Sequence, residues 1–196
     1  MPVEPTFYYD FSSPYSYFAA HRVDEVLPVP VRWQVILFGG LTSTIGKTPW
    51  SLHRGAERDR RMRECEATAA ELGLPLTWPP DWPLGTYSMP AVKAALVAEQ
   101  FGRQREFALE AFRRGLGEGD DLTDLAVLVE VAEAVDLDAV AIEEGVESPE
   151  IRARTRAVTE AAQARGVTGI PTIAWDDHLV WGFDRLGEAA AGLAAR

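Results

Sequence analysis

Two short segments near opposite ends of this 196-residue chain hold the residue types from which a site for an anion or a thiolate can be made. In Phe7-Tyr8-Tyr9-Asp10-Phe11-Ser12-Ser13-Pro14-Tyr15-Ser16-Tyr17 an aromatic run of strand character gives way to small hydroxyl residues. Pro14 follows, and its fixed φ and missing N–H suit the first turn of a helix. That order puts Ser13 at a helix N-terminus, where unpaired N–H groups and the positive end of the helix dipole stabilise a neighbouring anion, a thiolate included. A serine there is also an ordinary helix cap, and Ser12 and Ser16 are its neighbouring hydroxyls. Near the other end, Gly166-Val167-Thr168-Gly169-Ile170-Pro171-Thr172-Ile173 sets a proline directly before a strand. In Asp184-Arg185 the aspartate reads as the N-cap of a closing helix and the arginine as a surface residue, unless a ligand brings complementary charge.

These segments, with Leu179-Val180-Trp181-Gly182-Phe183-Asp184-Arg185-Leu186, resemble the thioredoxin-like superfamily. The branch is the one that contains DsbA-like proteins, kappa-class glutathione transferases and 2-hydroxychromene-2-carboxylate isomerases. The resemblance spans nearly the whole chain, with its specific motifs confined to the ends. Redox members carry Cys-x-x-Cys at the turn, whereas here the stretch is Ser13-Pro14-Tyr15-Ser16, similar to the glutathione-dependent transferases and isomerases. The resemblance implies a thioredoxin-like α/β fold with glutathione as cofactor. It also implies that Ser13 donates a hydrogen bond to the glutathione sulfur, and that a cis bond before Pro171 offers the backbone of Ile170 to the cysteinyl residue. Asp184 would take the γ-glutamyl ammonium, and Arg185 with the last helix N-terminus its carboxylate. The expected activity is a glutathione-dependent isomerisation resembling that of 2-hydroxychromene-2-carboxylate isomerase in aromatic compound catabolism. The substrate would be a small aromatic or conjugated carbonyl compound, and the assembly a homodimer by analogy. A kappa-class-like transferase and a non-catalytic DsbA-like binding protein are the alternatives.

One loop departs from those relatives. Gly46-Lys47-Thr48-Pro49-Trp50 stands where they tend to have Gly-Asn-Lys/Arg-Pro, so Lys47 occupies the amide position and Thr48 the basic one. Lys47 can meet a carboxylate as a point charge, without the geometry of an amide. Trp50, with Trp78, Trp82 and Tyr87, lines either an aromatic pocket or a packed loop.

Composition narrows the classes. With 19 Lys+Arg against 30 Asp+Glu the net charge is −11, which disfavours nucleic acid and anionic membrane surfaces as partners. The basic run Arg54 to Arg63, interrupted by Glu57 and Asp59, is a solvated helix face or the rim of an anionic-substrate site. Cys65 is the single cysteine, so no internal disulfide forms, and no Cys/His cluster has metal-ligand spacing. The N-terminal residues lack the basic and apolar regions of a signal peptide and no apolar run is of membrane-spanning length, so the expected compartment is the cytoplasm.

The elements that must position these residues follow from pattern. Strands are expected at Thr6–Phe11 and Val29–Leu37, with a helix Pro14–Val26 between them. From about Gly39 the Gly-, Ser- and Thr-rich texture signals a loop. Six helices are expected at Ala56–Leu72, Met89–Phe101, Gln104–Leu116, Leu122–Val135, Asp138–Glu144 and Pro149–Arg165, the last capped by Ser148. A hairpin Thr172–Trp175 and His178–Trp181, turning at Asp176-Asp177, precedes a final helix Asp184–Ala195. The chain thus reads as a discontinuous thioredoxin-like domain, residues 1–42 and 166–196, interrupted by a helical domain at 43–165.

Overall fold

The computed structural model describes residues 4–46, 48–53, 55–83 and 87–195. A four-stranded sheet in the order β2-β1-β3-β4 is built from β1 (Thr6–Tyr9), β2 (Arg32–Val35), β3 (Thr172–Trp175) and β4 (His178–Trp181). β1 and β2 run parallel, and the other two pairings are antiparallel. Because successive strand residues face opposite sides, Phe7 and Tyr9 enter one core with Trp33, Val35, Ile173 and Trp175. Tyr8 and Ala174 enter a second with Ile36, Leu41 and Ala162. The first core continues into the helical region through Leu96, Phe107 and Phe112, so both faces of the sheet are covered.

The first helix is shorter than expected. α1 (Pro14–Ala20) ends in a tightened turn at His21 and Arg22, whose N–H bonds Ala19 O at 3.0 Å, and α2 (Val23–Val26) follows with Val23 fully buried. β2 is trimmed at its end because Leu37 gives its N–H to the Thr159 hydroxyl at 3.1 Å rather than to a strand.

The expected loop at Gly39 is instead α3 (Phe38–Ile45). Tertiary partners override its weak intrinsic propensity: the Asp10 carboxylate accepts the Phe38 N–H at 2.8 Å, supplying the cap that the local sequence lacks. Thr42 and Ser43 turn their hydroxyls back onto the Gly39 and Gly40 carbonyls, and Gly46 closes the helix at φ 67°. The boundary expected at 42/43 therefore falls inside a helix.

The helical region contributes α4 (Ala56–Glu71), α5 (Met89–Gln100), α6 (Gln104–Phe112), α7 (Leu125–Glu133), α8 (Ala139–Glu147) and α9 (Pro149–Ala164). Ser148 caps α9 as expected, accepting from Glu150 N at 3.1 Å. α6 stops short of Leu116 because Arg113–Glu118 widens into a π turn, where Gly115 admits Leu122 so closely that a Cβ would lie 2.7 Å from its Cδ1. The hairpin turns at Asp176-Asp177 as expected, with Trp175 opposite His178 and Asp176 at φ 39°. The final helix α10 (Leu186–Ala194) starts two residues later than expected, after a 3₁₀ turn Phe183–Arg185. Among the described residues no helix is long and apolar enough to cross a membrane.

Candidate active site

The strand–turn–helix that leaves β1 places Ser13 as the N-cap of α1, with its hydroxyl oxygen accepting the Ser16 N–H at 3.2 Å. Acceptance uses an oxygen lone pair and leaves the hydroxyl proton available for donation. Ser13 is 9% exposed and lines a cleft of about 990 Å³. Its neighbours are otherwise committed: Ser12 Oγ donates to Asp10 Oδ1 at 2.7 Å, and the Ser16 hydroxyl is fully buried and outside the cleft lining. Of the three serines, Ser13 is the one placed to donate into the cleft.

Beneath this turn lies a residue that sequence reasoning did not single out. Asp10 is fully buried, accepts the Ser12 N–H and hydroxyl on Oδ1, and accepts the Phe38 N–H and the Ser88 hydroxyl (2.9 Å) on Oδ2. One carboxylate thus joins the Ser13 turn to the start of α3 and to the residue preceding α5. Burial pushes its pKa above the usual carboxylate range, against the lowering effect of those four hydrogen bonds.

Facing Ser13 is the loop before β3, and the Ile170–Pro171 bond is cis, as expected. Three consecutive carbonyls of this loop already accept hydrogen bonds. Gly169 O takes the Thr172 hydroxyl at 2.7 Å, Ile170 O the Trp181 indole N–H at 3.3 Å, and Pro171 O the Gly182 N–H at 2.9 Å. The Ile170 carbonyl is therefore shared rather than vacant, although a carbonyl oxygen has a second lone pair. Trp181 packs so closely over Gly169 that a Cβ there would lie 2.3 Å from its Cε2, which is why glycine is needed.

Asp184 and Arg185 line the same cleft in the 3₁₀ turn after β4. Asp184 is not the cap of α10: Arg185 occupies that position and no side chain caps the helix, so the expected cap role is corrected. The Asp184 carboxylate is exposed and folds against Gly182, whose φ of 119° is open to glycine. Arg185 grips Glu188 through Nε and Nη2 at 2.7 and 2.6 Å.

The opposite wall comes from the helical side. Trp50, in a 3₁₀ turn, lies 5.6 Å from Trp82 and 6.2 Å from Tyr15 between ring centroids, and Trp78 packs on Trp82 at 4.5 Å. Tyr15 stacks on Phe183 at 5.8 Å and 9°, joining the two walls. Trp50, Trp82 and Tyr87 line the cleft, whereas Trp78 lies behind them and bonds Glu66 at 2.7 Å. The packed-loop and pocket readings thus both hold for different rings. The basic run divides likewise. Arg58 donates to the Ser51 and Trp82 carbonyls, Arg60 pairs with Glu57 and Glu64 on the surface, and Arg61 alone among them lines the cleft. Lys47 lies outside the described residues.

Burial pushes the Tyr15 hydroxyl up to about 12, so it stays protonated as a donor near neutrality. It also pushes the Cys65 thiol up to about 11, and Cys65 is 1% exposed, so this thiol stays protonated and inaccessible. Ser13, Ile170, Pro171, Asp184, Arg185 and Trp50 come together around one cleft that Arg61 and Trp181 also line, with Asp10 buried beneath the Ser13 turn. The signal that could have found Asp10 is its place before the Ser-Ser turn, because a buried strand end followed by unpaired N–H groups calls for a carboxylate.

The sequence matches the DSBA-like thioredoxin domain family over residues 6–194. It is 33% identical over 190 residues to a 2-hydroxychromene-2-carboxylate isomerase of Sphingobium xenophagum, covering 92% of each chain. It is 28% identical over 198 residues to one of Pseudomonas putida, covering 97% of this chain and 95% of that protein. Among solved structures, a 2-hydroxychromene-2-carboxylate isomerase superposes with TM-score 0.86 at 23% identity, covering 97% of this chain and 94% of the other. The cytosolic disulfide reductase DsbM of Pseudomonas aeruginosa, solved with GSH, superposes with TM-score 0.64 at 21% identity over 98% and 96% of the two chains.

Proposed function

The chain belongs to the DSBA-like thioredoxin domain family, and we propose that it is a glutathione-dependent isomerase of a small conjugated aromatic substrate, related in activity to 2-hydroxychromene-2-carboxylate isomerases. The observation that carries this reading is Ser13: a cleft-lining hydroxyl at a helix N-terminus, with an accepting bond to Ser16 and a proton to spare, where redox relatives have a cysteine. The only protein thiol, Cys65, is buried and raised in pKa, so a thiol acting at the turn would have to come from outside.

The residues fit such a thiol peptide. Ser13 would donate to the sulfur and, with the α1 N-terminus, favour its ionised form. The second lone pair of the Ile170 carbonyl would accept from the cysteinyl backbone. Asp184, exposed in the cleft, would hold the α-ammonium. Arg185, released from Glu188, and the α10 N-terminus would hold the α-carboxylate. When bound, glutathione supplies a thiolate that adds reversibly to a conjugated carbon–carbon double bond, so that rotation can occur before it leaves unchanged. Trp50, Trp82 and Tyr87 would hold the aromatic ring and exclude water, and the protonated Tyr15 hydroxyl would donate to a substrate oxygen. The names of the relatives support isomerisation over conjugation.

The test is to follow conversion of 2-hydroxychromene-2-carboxylate with and without glutathione, beside retention of the protein on immobilised glutathione. Conversion that depends on glutathione, with retention, is expected. Unchanged conversion without any thiol would overturn the reading.

A further inference from the structure

Among the described residues of the basic run, Arg61 is the one that lines the cleft, and the thiol site does not use it. Charged side chains lining the cleft among the described residues are Arg61, Asp184 and Arg185. The latter two stand together in the turn before α10, whereas Arg61 stands on the aromatic wall, its guanidinium carbon 6.0 Å from the Trp50 ring centroid. Tyr15 lines the same cleft, its ring 6.2 Å from that of Trp50 between centroids. A cation, a phenolic donor and indole faces thus converge on the half of the cleft that Asp184 and Arg185 do not serve.

We infer that Arg61 is the anion-recognising residue of the substrate half of the cleft, pairing with the carboxylate of a planar aromatic acid whose ring lies against Trp50 and Trp82. This rests on the reading that Asp184 and Arg185 serve the thiol peptide. Three observations support it. First, the protein carries a net charge of −11, so an anionic substrate needs a local cation to offset the general repulsion. Second, a guanidinium presents paired N–H donors that match a carboxylate in one plane, and it stacks on aromatic faces, so ring and anion can be bound by adjoining groups. Third, Arg61 can leave its present partner at little cost. Its Nε bonds Glu57 at 2.8 Å, but Glu57 is also held by Arg60 Nη2 at 2.8 Å, so the carboxylate stays paired when Arg61 lets go. Arg58 is not placed for the role: its Nε and Nη2 hold the Ser51 and Trp82 carbonyls that fix the aromatic wall, and it does not line the cleft.

The experiment compares 2-naphthoate with 2-naphthamide, equal in shape and different in charge, binding to wild type, Arg61→Gln and Arg61→Lys in the presence of saturating glutathione. Calorimetric titration reads both probes, glutathione is titrated separately, and a thermal melt checks folding. Wild type should bind the acid more tightly than the amide, and Arg61→Gln should lose roughly 10- to 100-fold in acid affinity, the scale of a charge-assisted pair. Amide and glutathione affinities should be unchanged, and Arg61→Lys should recover part of the loss as charge without the fork. Equal naphthoate affinity in wild type and Arg61→Gln overturns the inference. So does a loss shared equally by the amide, which would make Arg61 a packing residue. Absence of glutathione binding in wild type, with acid binding still dependent on Arg61, would instead sink the thiol reading and leave the anion site standing.

Discussion

The two walls of the cleft are held by different forces. On the thioredoxin-like wall, the Ser13 turn hangs on the four-bonded Asp10 carboxylate, and the loop before β3 has three successive carbonyls engaged. On the helical wall, position comes from ring contacts between Trp50, Trp78 and Trp82 and from Arg58 bridging two loop carbonyls. Hydrogen bonds to buried groups fix direction and distance, which suits a wall that, on the proposed function, would aim a proton at a sulfur. Ring packing is less directional and tolerates exchange of shape, which suits a wall that, on the same proposal, would receive a substrate. The first wall should therefore respond to loss of single polar atoms, and the second to loss of area or charge.

The largest effect expected from this contrast is at Asp10. Asp10→Ala strands the part-buried N–H groups of Ser12 and Phe38, at about 1–2 kcal/mol for each unsatisfied donor, and should cost roughly 2–4 kcal/mol in urea unfolding. A loss below about 1 kcal/mol would mean that water replaces the carboxylate and that the wall is not held as described. The sign of the pH effect follows from burial. Because the folded pKa is raised above the unfolded value, stability from this group is fully present below the unfolded pKa and lost as pH rises through the folded one. Wild type should accordingly gain on Asp10→Asn as the solution is acidified, and a gap independent of pH would show that the hydrogen bonds offset burial completely.

Next in size is Asp184→Asn. The wild-type side chain caps no helix, so the thermal melt should move little, whereas glutathione affinity should fall by roughly 1.5–3 kcal/mol, the worth of a hydrogen bond to a charged group. Calorimetry reads the affinity. Equal affinity in the two proteins would remove Asp184 from thiol recognition.

What the sequence could disclose was set by how local each interaction is. The Ser13 cap, the Ser148 cap on α9 and the Asp176-Asp177 turn each close within three residues, and all were legible. Asp10 was not, because its partners Phe38 and Ser88 lie 28 and 78 positions away and are brought to it only by the folded sheet and helices. α3 was hidden for the same reason, since its cap comes from β1 and its glycines and hydroxyl residues read as loop. Asp184 misled in the other direction: an aspartate ahead of a helical pattern suggested a cap, but the intervening 3₁₀ turn moved the helix start past it. The division of the basic run between Arg58, Arg60 and Arg61 depends on helix rotation against the aromatic wall, which charge counting does not contain.

Ser13→Ala should raise the pKa of bound glutathione by roughly 1–2 units, the loss of one charge-assisted hydrogen bond, read as thiolate absorbance against pH. Removal of the cap adds a stability loss of about 1 kcal/mol, since the Ser16 N–H loses its acceptor. An unchanged thiol titration with that stability loss present would leave Ser13 as a cap only, and the α1 N-terminus as the sole source of thiolate stabilisation.

The smallest effect, and the one that sharpens the contrast most, is at Trp181. Its ring covers Gly169 while its N–H occupies one lone pair of the Ile170 carbonyl. Trp181→Phe keeps a ring over Gly169 and removes only the donor. If the cysteinyl backbone pairs with Ile170, the freed carbonyl should bind it better, and glutathione affinity should rise by about 0.5–1.5 kcal/mol, the net worth of one hydrogen bond. The rise should vanish for a thiol without a peptide backbone, such as 2-mercaptoethanol, because that ligand never uses the carbonyl. A fall in glutathione affinity would mean that the indole contacts the ligand rather than competing with it, so that an aromatic side chain contributes to binding on the wall positioned mainly by hydrogen bonds.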